Sequence, residues 1–452
     1  PIPAGSPAPD VADADLQLCL QQQRDLTYMS TVWPGFHPLC VDMLEADGSV
    51  TVRALVRATG EVRTVRAPSV PALLDSLKPL LASTYGDDDP TIVASDYDFP
   101  KHAWLMYTLL GDPLERTSQL RPGMLAGLYE GGQFILPGWK IGHVTYIDIP
   151  LVDQDTHVES FRTIPVRTVS LRPLVFSLEG FLTDEECDDV ISWAKQRLVP
   201  SRLAFMDGSD KDDAGVRTST QVFMPRGGAG TISALEHRAH NLTRLPYSLG
   251  ESIQVLRYEE GQRYGAHRDY FSANDYHQQP SMLSKVEYGA RNRLATIFWY
   301  MSTVRAGGET YFPRALNENG EEYNPWNGDH NDCYRGLAVK AFKGNAVLFY
   351  GMLPDGRLDE RSLHGGCPPR AEDGVPADTK FGANQWIWNA PRRYAGASFP
   401  RIPQTNDPDA GPPGCRDESE HCRAWASAGE CANNPGYMDT ACKRACRKCL
   451  AG

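Results

Sequence analysis

The chain has 452 residues, 41% of them hydrophobic, enough apolar material for two or three domains with real cores. A formal net charge of −12 excludes a general nucleic-acid binder. No apolar run reaches the roughly 18 residues that would span a bilayer, so no membrane anchor is visible. Residues 1–15, rich in Pro, Ala and Asp, read as a flexible end. Residues 16–170 read as a small α+β domain of undefined role: strands at 49–57 and 61–65 around an Ala58-Thr59-Gly60 turn, then an amphipathic helix over 71–82 carrying Leu73, Leu74, Leu77, Leu80 and Leu81. Further strands are expected between Phe134 and Pro150. Asp96, Asp98 and His102 lie close together and read as a solvated loop.

At Leu171 the pattern changes. A strand at 173–178 is followed by Thr183 and Glu186, a capping box for a helix running to about Gln196 with Cys187, Val190, Ile191 and Ala194 on one face. Asp207–Gly215 reads as a polar loop, either a mobile lid or an ordinary surface loop. Strands follow at 253–258, 294–301, 338–342, 346–350 and 384–388, and many strands with few helices suggest a double-sheet jelly roll over 171–395. Residues 396–414 are a Pro-rich linker to a cysteine-rich module at 415–452.

Six of the 11 cysteines, Cys415, Cys422, Cys431, Cys442, Cys446 and Cys449, crowd into that module and read as a disulfide framework from an oxidising compartment. Zinc is the competing reading, but Cys446 and Cys449 form the one Cys-x-x-Cys pair and lack a second. Asn241-Leu242-Thr243 is a glycosylation acceptor that fits a secretory route: the endoplasmic reticulum or Golgi lumen, or the exterior.

His267, Asp269 and His364 carry the chemistry. Two histidines and one carboxylate on one face of a metal leave its other positions open, the arrangement of non-haem Fe(II) oxygenases. His267 and Asp269 are two apart, so on a strand both face the same way, and His364 can close the triad from the opposite sheet. The bland alternative is a surface histidine pair beside a solvated aspartate.

The context of these residues resembles the prolyl 4-hydroxylase family of 2-oxoglutarate dioxygenases over about 172–390. The resemblance rests on Tyr258-x-x-Gly261-Gln262-x-Tyr264 before His267, Arg293-Leu294-Ala295-Thr296, Gly307-Gly308-Glu309-Thr310-Tyr311-Phe312-Pro313, Lys343-Gly344-Asn345-Ala346-Val347-Leu348-Phe349-Tyr350, Ser362-Leu363-His364-Gly365-Gly366-Cys367-Pro368 and Lys380-Phe381-Gly382-Ala383-Asn384-Gln385-Trp386-Ile387. It implies a double-stranded β-helix (jelly roll) holding Fe(II), with 2-oxoglutarate and O2 as co-substrates and ascorbate as reductant. Oxidative decarboxylation to succinate and CO2 is coupled to hydroxylation, and peptidyl proline is the substrate the resemblance implies. A dicarboxylate needs a buried cation for its distal end. Lys380 matches that role, with Tyr258 and Thr296 as further co-substrate contacts. Lys380 follows His364 by 16 residues; the family places its lysine six residues earlier, where Gly374 stands, so Arg370–Asp378 reads as a loop insertion and Arg370 as the rival anchor. Tyr264, Arg293 and Trp386 match peptide-contacting positions, whereas Tyr270, Trp299 and Tyr300 read as core or wall. The peptide class stays open between collagen-like Pro-Gly repeats and the Ser/Ala-Pro-rich proteins of cell walls. The single-chain layout looks more like the plant and protist enzymes.

The terminal module resembles the ShKT domain, the fold of a sea-anemone potassium-channel toxin. The resemblance implies the pairs Cys415–Cys449, Cys422–Cys442 and Cys431–Cys446. No lysine lies between Cys431 and Cys442, which argues against channel block and leaves a protein-binding or substrate-recruiting module, or a passive cap. A protein partner for this module or for the N-terminal domain is expected. Two further functions remain open: a related dioxygenase acting on another residue or a small molecule, and an inactive secreted binding protein.

Overall fold

A computed structural model describes residues 11–56, 59–81, 92–93, 104–152, 159–201, 203–204, 210–211, 217–227, 230–272, 286, 291–323, 329–391, 419, 421–427, 430–443 and 445–446. Asp96, Asp98, His102, the 396–414 linker, Cys415 and Cys449 lie outside these residues, as does most of the 207–215 loop. Among the described residues no helix is long and apolar enough to cross a membrane.

The first helix, α1 (Val11–Val32), begins inside the segment read as a flexible end. Its buried stripe is Leu16, Cys19, Leu20 and Leu26, at helical spacing, but Gln23 interrupts it. That amide is buried and bridges the carbonyls of Pro38 and Arg53 at 2.8 and 2.9 Å, tying α1 to the sheet beneath. The sheet comprises β1 (Phe36–Leu44), β2 (Val50–Val56), β3 (Glu61–Ala67), β4 (Leu105–Thr108) and β5 (Leu125–Tyr129) in the order β3-β2-β1-β5-β4. A Cys19–Cys40 disulfide staples α1 to β1. α2 (Val70–Leu81) packs Leu73, Leu77 and Leu81 on the sheet and leaves Leu80, in its last turn at the edge of the apolar face, exposed.

The catalytic half is two facing sheets. The large one contains β6 (Val144–Val152), β7 (Glu159–Leu171), β8 (Leu174–Leu178), β9 (Val199–Pro200), β10 (Thr220–Phe223), β11 (Gln254–Tyr258), β13 (Arg293–Tyr300), β16 (Ala346–Tyr350) and β18 (Lys380–Trp388), in the order β9-β10-β11-β18-β13-β16-β8-β7-β6. The small one contains β12 (Tyr264–His267), β14 (Thr310–Phe312), β15 (Leu337–Val339) and β17 (His364–Gly366), in the order β12-β17-β14-β15. The fold is therefore mainly β with flanking helices, a double-stranded β-helix. α3 (Asp184–Lys195) starts at the expected box: Glu186 N donates to Thr183 Oγ1 at 3.1 Å and Thr183 N to Glu186 Oε2 at 2.8 Å. α4 (Thr231–Thr243) carries Asn241 half-buried in its last turn, while Thr243 of the same triplet is buried and donates to the Ala239 carbonyl at 3.0 Å.

The expected boundary at 170/171 is corrected. β6 and β7 pair along Val144–Val152 and Glu159–Leu171, and β7 pairs with β8, so both belong to the large sheet. The 16–170 domain therefore ends before Val144. Alternating hydrophobicity cannot say which sheet a strand joins. The remaining N-terminal unit is built onto the segment that leads to His364. Gly131 N donates to the Pro354 carbonyl at 2.6 Å, Ile92–Val93 pair with Leu358–Asp359, and Trp33, Phe36 and Tyr129 share a core with Met352, Leu353 and Leu358.

In the terminal module, α5 (Cys422–Ser427), α6 (Glu430–Asn433) and α7 (Pro435–Ala441) are held by the Cys422–Cys442 and Cys431–Cys446 disulfides over a core of Cys422, Met438, Ala441 and Cys442. No zinc arrangement is needed for these four cysteines.

Gly35 sits at φ +86°, and a Cβ there would lie 2.4 Å from Asp355 N. Gly35→Ala is expected to cost about 2–4 kcal/mol through backbone strain and overlap, read as a lower urea midpoint with an unchanged slope.

Candidate active site

Strand register assembles the site. β12 and β17 are antiparallel neighbours with His267 directly opposite His364. The two histidines thus share one sheet, not two opposed sheets as expected. β12 also ends at His267, so Asp269 reaches the cluster from the turn beyond the strand. Asp269 Oδ1 lies 3.7 Å from His267 Nε2, and its Oδ2 lies 3.5 Å from His364 Nε2. All three ligand atoms fall within 4.8 Å of one another.

Each histidine contacts a carbonyl through Nδ1: His267 with Gly265 O and His364 with Ser362 O, both at 2.9 Å. A carbonyl can only accept, so Nδ1 carries the proton and the Nε2 lone pairs point at Asp269 and the space between. Burial, reinforced by the neighbouring His364 ring, pushes His267 down to about 3, which keeps it the neutral ligand a metal requires. Burial alone would raise Asp269, but the two histidines, Arg293 and the Thr296 hydroxyl outweigh it and hold the carboxyl below its usual range. Thr296 Oγ1 donates to Asp269 Oδ2 at 2.7 Å, so in this state its partner is the aspartate.

β11 and β18 set the second part of the site, with Tyr258 directly opposite Lys380. Lys380 is 1% exposed and faces the rings of Tyr258, Phe298 and Tyr300 at 5.0–5.7 Å. Among the described residues no carboxylate pairs with it. Burial pushes its ammonium down to about 7. A buried cation without an anion is costly unless a ligand brings one. That is what a dicarboxylate co-substrate would supply. Arg370 is half exposed and paired with Glu372, so it is no anchor for the cavity. The Arg370–Thr379 stretch is a loop with Gly374 in a turn at φ +77°.

Leu256, Tyr258, Phe298, Phe349, Lys380 and Asn384 from the large sheet and Tyr264, His267, Thr310 and His364 from the small sheet line a narrow cavity. Gly365 is needed, since a Cβ there would sit 2.5 Å from the Tyr311 ring, while Gly366 faces Lys380 Nζ and Tyr258 Oη. Tyr264 stacks on His267, ring centroids 3.6 Å apart, and Arg217 covers Tyr264 at 4.5 Å. Trp386 is 6% exposed, and its Nε1 has no hydrogen-bond partner. Arg293 lies 3.9 Å over Trp386 and is enclosed by the protein: Nε and Nη2 donate to Glu251 at 2.6 and 3.0 Å, and Nη1 to the Asp269 carbonyl at 3.2 Å. Tyr270, Trp299 and Tyr300 are buried core residues, as expected. Glu251, Arg217, Asn384 and Glu360 were not legible, because their positions depend on partners far away in sequence.

The 2OG-Fe(II) oxygenase superfamily matches residues 253–388, and an ShK domain-like family matches 414–449. The probable prolyl 4-hydroxylase 4 of Arabidopsis thaliana is 40% identical over 300 residues, covering 63% of this chain and 88% of the relative. The chain belongs to the prolyl 4-hydroxylase family. Prolyl 4-hydroxylase 2 of the same plant is 38% identical over 291 residues, covering 63% of this chain and 88% of that one. A viral collagen prolyl hydroxylase from Paramecium Bursaria Chlorella virus-1, solved as a 2OG complex, is 25% identical, covering 48% of this chain and 96% of that chain with a TM-score of 0.32. As a prolyl 4-hydroxylase-like oxygenase, the enzyme uses Fe(II), 2-oxoglutarate and O2; ascorbate is typical of the family. The donor set fits: two imidazole Nε2 atoms and one carboxylate for the metal, and one buried lysine with no carboxylate partner among the described residues for the co-substrate.

The folded Lys380 titrates near 7, and the unfolded residue near 10.4. Between those values the unfolded chain binds more protons, so the stability of the ligand-free protein should rise with pH across that window. Below about 7 the cost of the buried ammonium is present in full. Lys380→Met should remove the slope and saturating 2-oxoglutarate should flatten it in the wild type, both read by thermal melts across the pH range.

Proposed function

We propose that this oxygenase hydroxylates peptidyl proline to 4-hydroxyproline in secreted or cell-wall proline-rich proteins. The observation that carries the reading is that His267 and His364 of the His267–Asp269–His364 cluster line one cavity with Lys380, which has no carboxylate partner among the described residues. The named relatives supply the proline specificity of the proposal. In this reading His267, Asp269 and His364 hold Fe(II), Lys380 neutralises the distal carboxylate of 2-oxoglutarate, Tyr258 lines the same pocket, and Thr296 would contact the co-substrate from beside Asp269. When bound, Fe(II) with 2-oxoglutarate and O2 supplies oxidative decarboxylation to succinate and CO2, with the second oxygen atom delivered to the substrate. The chain's own part is to orient and to shield. The Gly265 and Ser362 carbonyls fix the imidazole tautomers, the Tyr264 ring holds His267 in plane, and Phe298 and Phe349 exclude water from the ammonium's surroundings.

An outer groove shares Tyr264 and Gly366 with the inner cavity and is walled by Tyr311, Tyr334 and the Cys333–Cys367 disulfide. An extended proline-rich chain is a preorganised ligand for such an aromatic wall. Tyr264 and Trp386 are the peptide contacts in this reading, and Arg293 holds Trp386 in place.

Four disulfides among the described residues support a secretory-pathway location, either lumenal or secreted. Cys415–Cys449 would complete the terminal module, Asn241 would be a glycan acceptor on that route, and the module would recruit a protein partner or the substrate.

Peptides of Pro-Pro-Gly repeats and of Ser-Pro or Ala-Pro repeats, incubated with Fe(II), 2-oxoglutarate and ascorbate, test the proposal by mass spectrometry. One added oxygen on proline is expected in one of the two sets. Asp269→Ala should abolish it while leaving the fold intact by circular dichroism. Succinate formation with no proline oxidation in either set would reject the proline assignment.

A further inference from the structure

We propose that Glu360 is a positioning residue for the metal triad: its carboxylate clamps the turn that carries Asp269 to the segment that carries His364. The proposal rests on the reading of His267, Asp269 and His364 as metal ligands. In that stretch the ligand atoms of His267 and Asp269 meet in the cluster, and the side chains of Arg268 and Tyr270 reach Glu360 instead. Arg268 Nε donates to Glu360 Oε2 at 2.9 Å, and a second bond comes from its Nη2. Tyr270 Oη donates to Glu360 Oε1 at 2.7 Å. Asp269 is therefore held from both sides by one carboxylate. Arg314 Nη1, from the segment after β14, adds a bond to Oε2 at 2.8 Å.

Glu360 also opens the short 3-10 turn Glu360–Ser362, which is capped by Asp359 accepting from Arg361 N at 3.0 Å. The carbonyl at the end of that turn, Ser362 O, fixes His364 Nδ1. One continuous path thus runs from the flanks of Asp269 through Glu360 and its turn to the second imidazole. A buried charged pair alone contributes little net stability and an apolar replacement can serve as well. Positioning is the better account because the donors flank a metal ligand and the acceptor begins the turn that orients another. The ligand atoms of Asp269 and the histidines lie 3.5 and 3.7 Å apart, and slack of about half an ångström would degrade that geometry.

The test uses Co(II) as probe ion on the full chain, with affinity by calorimetry, the visible Co(II) spectrum, and the melting temperature of the metal-free protein. Arg268→Gln leaves Glu360 with Arg314 and Tyr270, so the fold should hold. Its Co(II) Kd should rise about 10-fold, with an altered spectrum. Glu360→Gln should weaken binding about 10- to 100-fold, and the double variant no further than Glu360→Gln alone, since both act through one contact. Glu360→Asp should recover part of the loss. A folded Arg268→Gln protein with wild-type Kd and spectrum would overturn the proposal, and this variant decides the matter if Glu360→Gln fails to fold. If wild-type protein binds no Co(II), the metal assignment itself falls, and the proposal with it.

Discussion

The antiparallel pairing of Tyr264–His267 with His364–Gly366 is the contact on which the site depends. It sets two imidazoles side by side from positions 97 residues apart, a separation that no local preference bridges. A one-residue slip would send one histidine to the opposite face of the sheet and dissolve the cluster. Much of the surrounding architecture fixes that register. Tyr311 fills the space above Gly365, the small sheet continues through β14 and β15, and the Cys333–Cys367 disulfide ties the outer loop to the segment just after β17.

The interior of this half holds several charged groups, and the pairing pattern separates structural from functional ones. Arg238 with Glu186, Arg293 with Glu251, and Arg172 with Asp359 are matched buried or half-buried pairs. Two sets depart from this. The triad gathers hydrogen-bond acceptors around a common space, and Lys380 stands among aromatic rings with no carboxylate paired to it among the described residues. Each is unfavourable alone and each is resolved by a ligand of opposite charge, which is the physical content of an enzyme that takes a divalent cation and a dicarboxylate together.

Much of this was legible in the residues. The capping box at Thr183 and Glu186, the strand around Gln254–Tyr258 and the triad were read from local pattern and motif. The Lys380 position required choosing between Lys380, Gly374 and Arg370, and burial separates them, since Arg370 is exposed and Gly374 lies in a turn. Other features were not legible. The stripe on α1 was broken by Gln23, whose partners are carbonyls on two strands. The membership of β6 and β7 in the large sheet depends on register, not composition. Glu251 and Glu360 carry no motif, and their meaning comes from Arg293 and Arg268, both distant in sequence.

The central claim is that the histidine–aspartate cluster and Lys380 together form one site for Fe(II) and 2-oxoglutarate. The most direct measurement is an anaerobic titration of 2-oxoglutarate into the Fe(II)-loaded 452-residue chain, followed by the visible charge-transfer absorption of the chelate. The account predicts saturation at one equivalent per chain for the wild type and a far weaker, right-shifted titration for Lys380→Met. Absence of the band in wild-type protein, or identical titrations for the two proteins, would contradict it.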